Sequence, residues 1–100
     1  MPISVQIQDE NQDILGEAWW NPRSTELLVG DHPGTCCLRF IDAYGDATFN
    51  QGQIPVLIAE IDGLAKRCSD AETQAILRDL VTYLSGACDW LHVYVRFMGD

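Results

Sequence analysis

Basic residues are scarce in this chain, with six lysines and arginines against fifteen aspartates and glutamates, and the net charge is -9 at neutral pH. The six are scattered as Arg23, Arg39, Lys66, Arg67, Arg78 and Arg96. They do not predict the continuous basic surface that a nucleic-acid backbone requires. Anionic membranes are disfavoured for the same reason. We therefore expect no nucleic-acid and no membrane partner, whereas a basic protein partner is compatible with this charge.

Long apolar runs are also missing, since charged residues interrupt every stretch well before the ~20 residues of a membrane helix. Residues 1–10 alternate polar and apolar side chains and contain no lysine or arginine, so no signal peptide is predicted. Hydrophobic residues make up 47% of the chain and nine are aromatic, which favours a chain folded throughout. We expect a cytoplasmic protein with a single domain over residues 1–100.

The cysteines lack the spacing of a metal site or a disulfide framework. Cys36 and Cys37 are adjacent, and no cysteine pair has zinc-finger spacing. Cys68 and Cys88 flank a predicted helix and would lie about 30 Å apart at a rise of about 1.5 Å per residue. The sequence therefore predicts free, mostly buried thiols, with no disulfide, no metal and no cofactor.

Two β-hairpins are predicted in the first half of the chain. Ile3, Val5 and Ile7 alternate with polar residues, a polar turn follows, and residues 13–19 form the return strand. Residues 26–29 are interpreted as a short edge strand.

The second hairpin pairs residues 35–41 with residues 47–50 across a turn at 42–46 that contains Gly45. Residues 40–50 read Phe-Ile-Asp-Ala-Tyr-Gly-Asp-Ala-Thr-Phe-Asn. This segment, with the helices after it and the terminal Gly99-Asp100, resembles a group of short bacterial proteins of uncharacterised function. The resemblance implies a hairpin, two helices and a final strand, and it implies no activity.

Two amphipathic helices and one strand complete the prediction. The first helix buries a stripe that runs from Ile54 to Cys68, and a capping box of Ser69 and Glu72 opens the second. The short connection between them favours an antiparallel helical hairpin. Residues 90–98 alternate as a strand. The sequence predicts an α+β fold: an antiparallel β-sheet of 4–6 strands with the helical hairpin packed on one face.

One cluster of residues suggests catalysis. Asp31, His32, Asp42 and Asp46 would meet if the loop at 30–34 and the turn at 42–46 shared one end of the sheet. A histidine base or ligand oriented by carboxylates suits a small hydrolase or a metal-dependent enzyme. Turn chemistry is the favoured explanation of the same residues, because aspartate side chains bond the backbone within turns and His32 precedes Pro33 in a loop.

A second set suggests binding. Trp19 and Trp20 face opposite sides of a strand if both are extended, so one of them lies away from the core. His92 and Tyr94 share the polar side of the last strand, and tryptophan and tyrosine are frequent anchors of interfaces. Cys36 or Cys37 with His92 would be the alternative thiol pair, without a supporting motif.

The leading hypothesis is an acidic module that binds a protein, either a second copy of itself or a basic partner such as a toxin that it neutralises. The outward residues of the helices, among them Glu60 and Arg78, are mixed polar and charged, and such surfaces resist desolvation. The open face of the sheet is therefore the expected binding surface.

Overall fold

The computed structural model describes residues 2–30, 32, 34–87 and 92–99. The elements in chain order are strand β1 Ser4–Gln8, strand β2 Trp19–Trp20, helix α1 Ser24–Leu28, a 3-10 turn Leu38–Phe40, strand β3 Asp46–Asn50, helix α2 Ile54–Arg67, helix α3 Ala71–Ser85 and strand β4 Tyr94–Met98. The strands form one sheet in the order β2-β1-β4-β3, and all neighbours are antiparallel. The predicted α+β fold, with four strands and a helical hairpin, is confirmed.

One face of the sheet carries the hydrophobic core. Val5 pairs with Phe97 and Ile7 with Val95, and their side chains alternate with polar residues along each strand. The rings of Phe49 and Phe97 meet edge to face, with centroids 5.7 Å apart. The strands therefore bury one apolar layer and leave a polar layer on the other side.

The two long helices cover the apolar layer. Their inward residues lie three or four positions apart, as the helical period requires. They join the strand residues in one buried cluster, to which α2 contributes Ile54, Leu57, Ile61 and Ala65 and α3 contributes Leu77, Leu80 and Leu84. Within the described residues, neither helix has the length and apolar character needed to cross a membrane.

Helix α3 begins one residue later than the predicted capping box implies. Its N-cap is Asp70, whose carboxylate accepts hydrogen bonds from the backbone N–H of Thr73 at 3.0 Å and from its hydroxyl at 2.6 Å. The prediction of Ser69 with Glu72 was wrong in register. Aspartate is as good an N-cap as serine, so N-cap preference does not decide which of two adjacent residues begins the helix.

The predicted strand at 35–41 is absent from the sheet and is replaced by the turn Leu38–Phe40. Three consecutive backbone N–H groups, those of Cys36, Cys37 and Leu38, donate to the carboxylate of Glu60 on α2 at 2.5, 2.9 and 3.2 Å. Successive N–H groups of a strand point in opposite directions, so a strand cannot offer three to one acceptor.

The first hairpin is confirmed in outline, but its return strand is interrupted. Ile14 bridges Gln8, and pairing resumes only at Trp19 and Trp20. In the gap, the Tyr83 hydroxyl accepts the Ile7 N–H at 3.3 Å and donates to the Glu17 carbonyl at 2.8 Å. A side chain from α3 thus satisfies backbone groups that the broken ladder leaves unpaired.

The predicted edge strand at 26–29 is wrong, because residues Ser24–Leu28 form α1. Ser24 and Leu28 are fully buried and four residues apart, which places both on the inner side of a helix. The Ser24 hydroxyl donates to the Ile3 carbonyl at 2.8 Å and ties this helix to the start of β1. A segment of only four residues is too short for its hydrophobic pattern to distinguish a strand from a helical turn.

Candidate binding groove on the open face

The face of the sheet opposite the helices, called the open face below, is formed by the outward residues of all four strands. The register places Arg96 between Gln6 and Thr48, and Tyr94 between Gln8 and Asn50. At the far end, Met98 lies between Ser4 and Asp46, and Trp20 pairs with Ser4 on the edge strand.

A groove of about 370 Å³ lies on this face. It is lined by Gln8, Asp9, Glu10, Gln12, Asp46, Thr48, Tyr94 and Arg96. Its floor comes from the neighbouring strands β4 and β3, and residues 9–12, the turn after β1, provide its wall. The volume is within the range of small binding clefts and suits one or a few side chains of a partner.

The wall of the groove is held by hydrogen bonds within the turn. The Asp9 carboxylate accepts the N–H groups of Asn11 at 2.8 Å and Asp13 at 3.0 Å. The Gln12 N–H donates to the Asp9 carbonyl at 3.0 Å, and Gln12 has a φ of 69°. Because an aspartate side chain stabilises such a turn, the acidic wall keeps a defined position above the sheet.

The groove is acidic. Asp9, Glu10 and Asp46 face a single cation, Arg96, whose guanidinium pairs with the Asp46 carboxylate. Asp9 and Glu10 have no basic partner among the described residues. The groove therefore retains negative charge after its internal ion pair is counted.

An aromatic residue lines the same groove as these carboxylates. Tyr94 is 37% exposed and lines the groove next to Arg96 on the same strand. A carboxylate can accept charge-assisted hydrogen bonds from lysine or arginine, and a tyrosine ring can stack on the same cation. This combination suits a basic side chain better than an anion or an apolar group.

The tryptophan pair divides as the sequence predicts. Trp19 is 9% exposed, and its Nε1–H donates to the Asp79 carboxylate on α3 at 2.8 Å. Trp20 is 60% exposed and lies on the open face. Trp19 therefore belongs to the core, and Trp20 remains available for contact.

His92 lies outside the strand in which the sequence places it. Strand β4 begins at Tyr94, and His92 has a φ of 58°, in the left-handed region. Its backbone N–H donates to the side-chain carbonyl of Gln51 at 3.2 Å. Residues 90 and 91, also predicted as strand, lie outside the described residues.

The described members of the predicted catalytic cluster have separate partners. The His32 Nε2 lies 2.9 Å from the Leu28 carbonyl at the end of α1, so this nitrogen carries the proton and donates. The Asp42 carboxylate accepts the Tyr44 N–H at 3.0 Å within its own turn. Asp46 pairs with Arg96 in the groove, and Asp31 lies outside the described residues.

The thiols that the structure describes are free. Cys37 is buried, and burial together with the nearby Glu60 carboxylate raises the pKa of its thiol. Cys36 is exposed, and Cys68 is half-buried with its Sγ 3.2 Å from the Leu64 carbonyl. Cys88 lies outside the described residues. Across residues 2–30, 32, 34–87 and 92–99, no group of three histidine, cysteine or acidic side chains is arranged to hold a metal ion.

Sequence reasoning missed the wall of the groove and the role of Glu60. The sequence predicts only a polar turn after the first strand, although the two adjacent carboxylates of Asp9 and Glu10 in that turn are a visible signal of an acidic site. Glu60 was counted among the solvent-facing residues of α2, but it is half-buried and bound to residues 36–38. Burial alone would raise the pKa of its carboxyl, yet the three N–H donors outweigh this and hold the pKa below its ordinary value.

The fold and the site define an antiparallel α+β protein with an acidic, tyrosine-containing groove on its open sheet face. Comparisons of the chain with protein families, with curated proteins and with solved structures gave no match.

Proposed function

We propose that this protein is a binding module that holds a basic segment of a partner protein in the groove of its open face. The observation that carries the proposal is that Asp9, Glu10 and Tyr94 line one cleft. Charge complementarity supports a cationic occupant, because the chain as a whole also carries a net charge of -9.

Residues beyond the groove favour a protein segment over a small cation. Trp20, which is 60% exposed, and the half-buried Met98 lie on the same face outside the groove, where they offer apolar contact area. An exposed tryptophan on the same sheet face as a polar groove is the composition of a protein interface, in which aromatic anchors contribute most of the affinity.

Titration with short peptides tests this function. A peptide rich in lysine and arginine is expected to bind, and its affinity should fall as the salt concentration rises, since exposed charges are screened. A peptide of the same length rich in glutamate should not bind. Isothermal titration calorimetry measures both.

A matched pair of variants locates the binding site. Glu10→Gln removes one charge from the wall of the groove, whereas Glu17→Gln removes the same charge from an exposed position of the same hairpin outside the groove. Only Glu10→Gln should weaken binding of the basic peptide. If both variants lose the same affinity, the effect is one of net charge and the groove is not the binding site. If the basic peptide does not bind the unaltered protein, the proposed function is contradicted.

A further inference from the structure

We infer that the basic segment binds as an added β-strand along the free edge of β3, with every second side chain directed into the groove. The inference rests on the proposed function and specifies how the partner is held. β3 pairs with β4 on one side and forms the edge of the described sheet on the other.

The hydrogen bonds of β3 show which backbone groups face the free edge. The Gly99 N–H donates to the Gly45 carbonyl at 2.8 Å. In an antiparallel ladder the bonded pairs recur at every second residue. Ala47 and Phe49 therefore direct their backbone groups toward β4, while Asp46 and Thr48 direct theirs outward.

The hydrogen bonds at the end of β3 independently indicate the same set of outward-facing residues. Asn50 is two residues beyond Thr48, so its backbone groups should also face outward. Its N–H donates to the Gln53 side chain at 2.9 Å, and its carbonyl accepts the Gln53 N–H at 3.0 Å. Asn50 is thus bonded to the following turn, which leaves Asp46 and Thr48 as the two residues that can pair with a new strand.

The edge lacks the features that usually prevent strand addition. Edge strands are commonly protected by proline, by lysine or by a bulge. Residues Asp46–Asn50 contain no proline and no lysine, and their register with β4 runs without a bulge. The only charge in the strand, Asp46, is paired with Arg96, so the net negative charge that would repel an acidic strand and attract a basic one comes from Asp9 and Glu10 in the groove.

The edge and the groove are continuous. Asp46 and Thr48 line the groove with their side chains and offer their backbone groups at the edge. A strand added to β3 would lie about 4.8 Å away, with alternate side chains on the open face. Lysine or arginine at every second position would therefore reach the acidic groove. A second copy of this chain is disfavoured, because it would bring another net charge of -9 to the same edge.

Peptides with selective backbone methylation test this mode on the unaltered protein. N-methylation at every second residue removes the N–H groups of one side of an extended strand. One of the two alternate methylation patterns should lower the affinity by about tenfold or more, because each methyl group removes a hydrogen bond and blocks approach. The other pattern should leave the affinity within about threefold.

A variant pair gives the corresponding test from the protein side. Thr48→Pro removes an outward N–H, which an edge strand tolerates, and it should weaken peptide binding by about tenfold or more. Thr48→Ala loses the same side chain but keeps the backbone donor, so it should bind the peptide at least about threefold more tightly than Thr48→Pro does. Circular dichroism checks that both variants fold. If Thr48→Pro does not fold, the methylated peptides still test strand addition on the unaltered protein.

The outcomes separate the two proposals. Binding that is equally insensitive to both methylation patterns overturns strand addition and leaves the groove as the site. Failure of the unmethylated basic peptide to bind contradicts the proposed function itself. Sedimentation that shows a dimer lost in Thr48→Pro would assign the edge to a second copy and overturn the inference.

Discussion

The two faces of one sheet differ in what they contribute, and the contrast is sharpest within β4. Val95 and Tyr94 are adjacent, yet Val95 is fully buried under the helices and Tyr94 is partly exposed in the groove. The helix-covered face is apolar, and the open face is polar and acidic. Because adjacent strand residues face opposite sides of the sheet, one residue contributes to stability and the next to binding. Substitutions on the two faces should therefore have different effects.

The largest effect is expected under the helices. Leu80 on α3 is 0% exposed within the core. Leu80→Ala should lower the free energy of unfolding by about 2–5 kcal/mol, because it removes buried methyl groups and leaves a cavity. Chemical denaturation measures the change. A loss below about 1 kcal/mol would place this residue outside the main core.

On the open face, the expected loss is in affinity. Tyr94→Ala should weaken binding of the basic peptide by about 1–4 kcal/mol, the range of an aromatic anchor, with little change in unfolding free energy. Calorimetric titration and denaturation of the same preparation measure the two quantities. An unchanged affinity would move the site away from Tyr94, and a large loss of stability would show that its ring supports the core.

A smaller effect is expected where α2 holds residues 36–38. Glu60→Ala leaves three backbone N–H groups without their carboxylate and should destabilise the protein by about 1–3 kcal/mol. Asp62→Ala is the matched control on the same helix, since its exposed pair with Lys66 should contribute at most about 0.5 kcal/mol. Equal losses in the two variants would contradict the role of Glu60.

The same carboxylate predicts a modest dependence on pH. The pKa of Glu60 is lowered from its ordinary value of 4.5, so the folded state favours the ionised form. Its contribution is fully present above the ordinary pKa and is lost as pH falls through the lowered one. The stability difference between unaltered protein and Glu60→Gln should therefore shrink on acidification. A difference that stays constant down to about pH 3 would contradict this linkage.

Local patterns predicted the parts of the fold that depend on local rules. The alternation in the last strand and the apolar stripes of α2 and α3 led to an α+β sheet with a helical hairpin. The segment at 35–41 was misread because its conformation depends on Glu60, more than twenty residues further along the chain. Neither propensity nor periodicity carries that information.

The groove also depends on contacts between distant parts of the chain, because strand pairing brings its lining residues together. Glu10, Asp46 and Tyr94 are far apart in the sequence and meet because β4 inserts between β1 and β3. The sequence suggested Tyr94, His92 and one of Trp19 or Trp20 as binding residues on the open face. That the turn after β1 would stand beside Tyr94 could not be predicted, since this requires the pairing of a strand from each end of the chain.

Nuclear magnetic resonance with uniformly ¹⁵N-labelled protein tests the central claim most directly. A basic peptide is added in steps, and amide shifts are followed along the chain. We expect the largest changes at the groove and its edge, at Glu10, Thr48, Tyr94 and Arg96, with small changes on the outward side of α3. Shifts concentrated on the helices, or no shifts at saturating peptide, would contradict the assignment of binding to the open face.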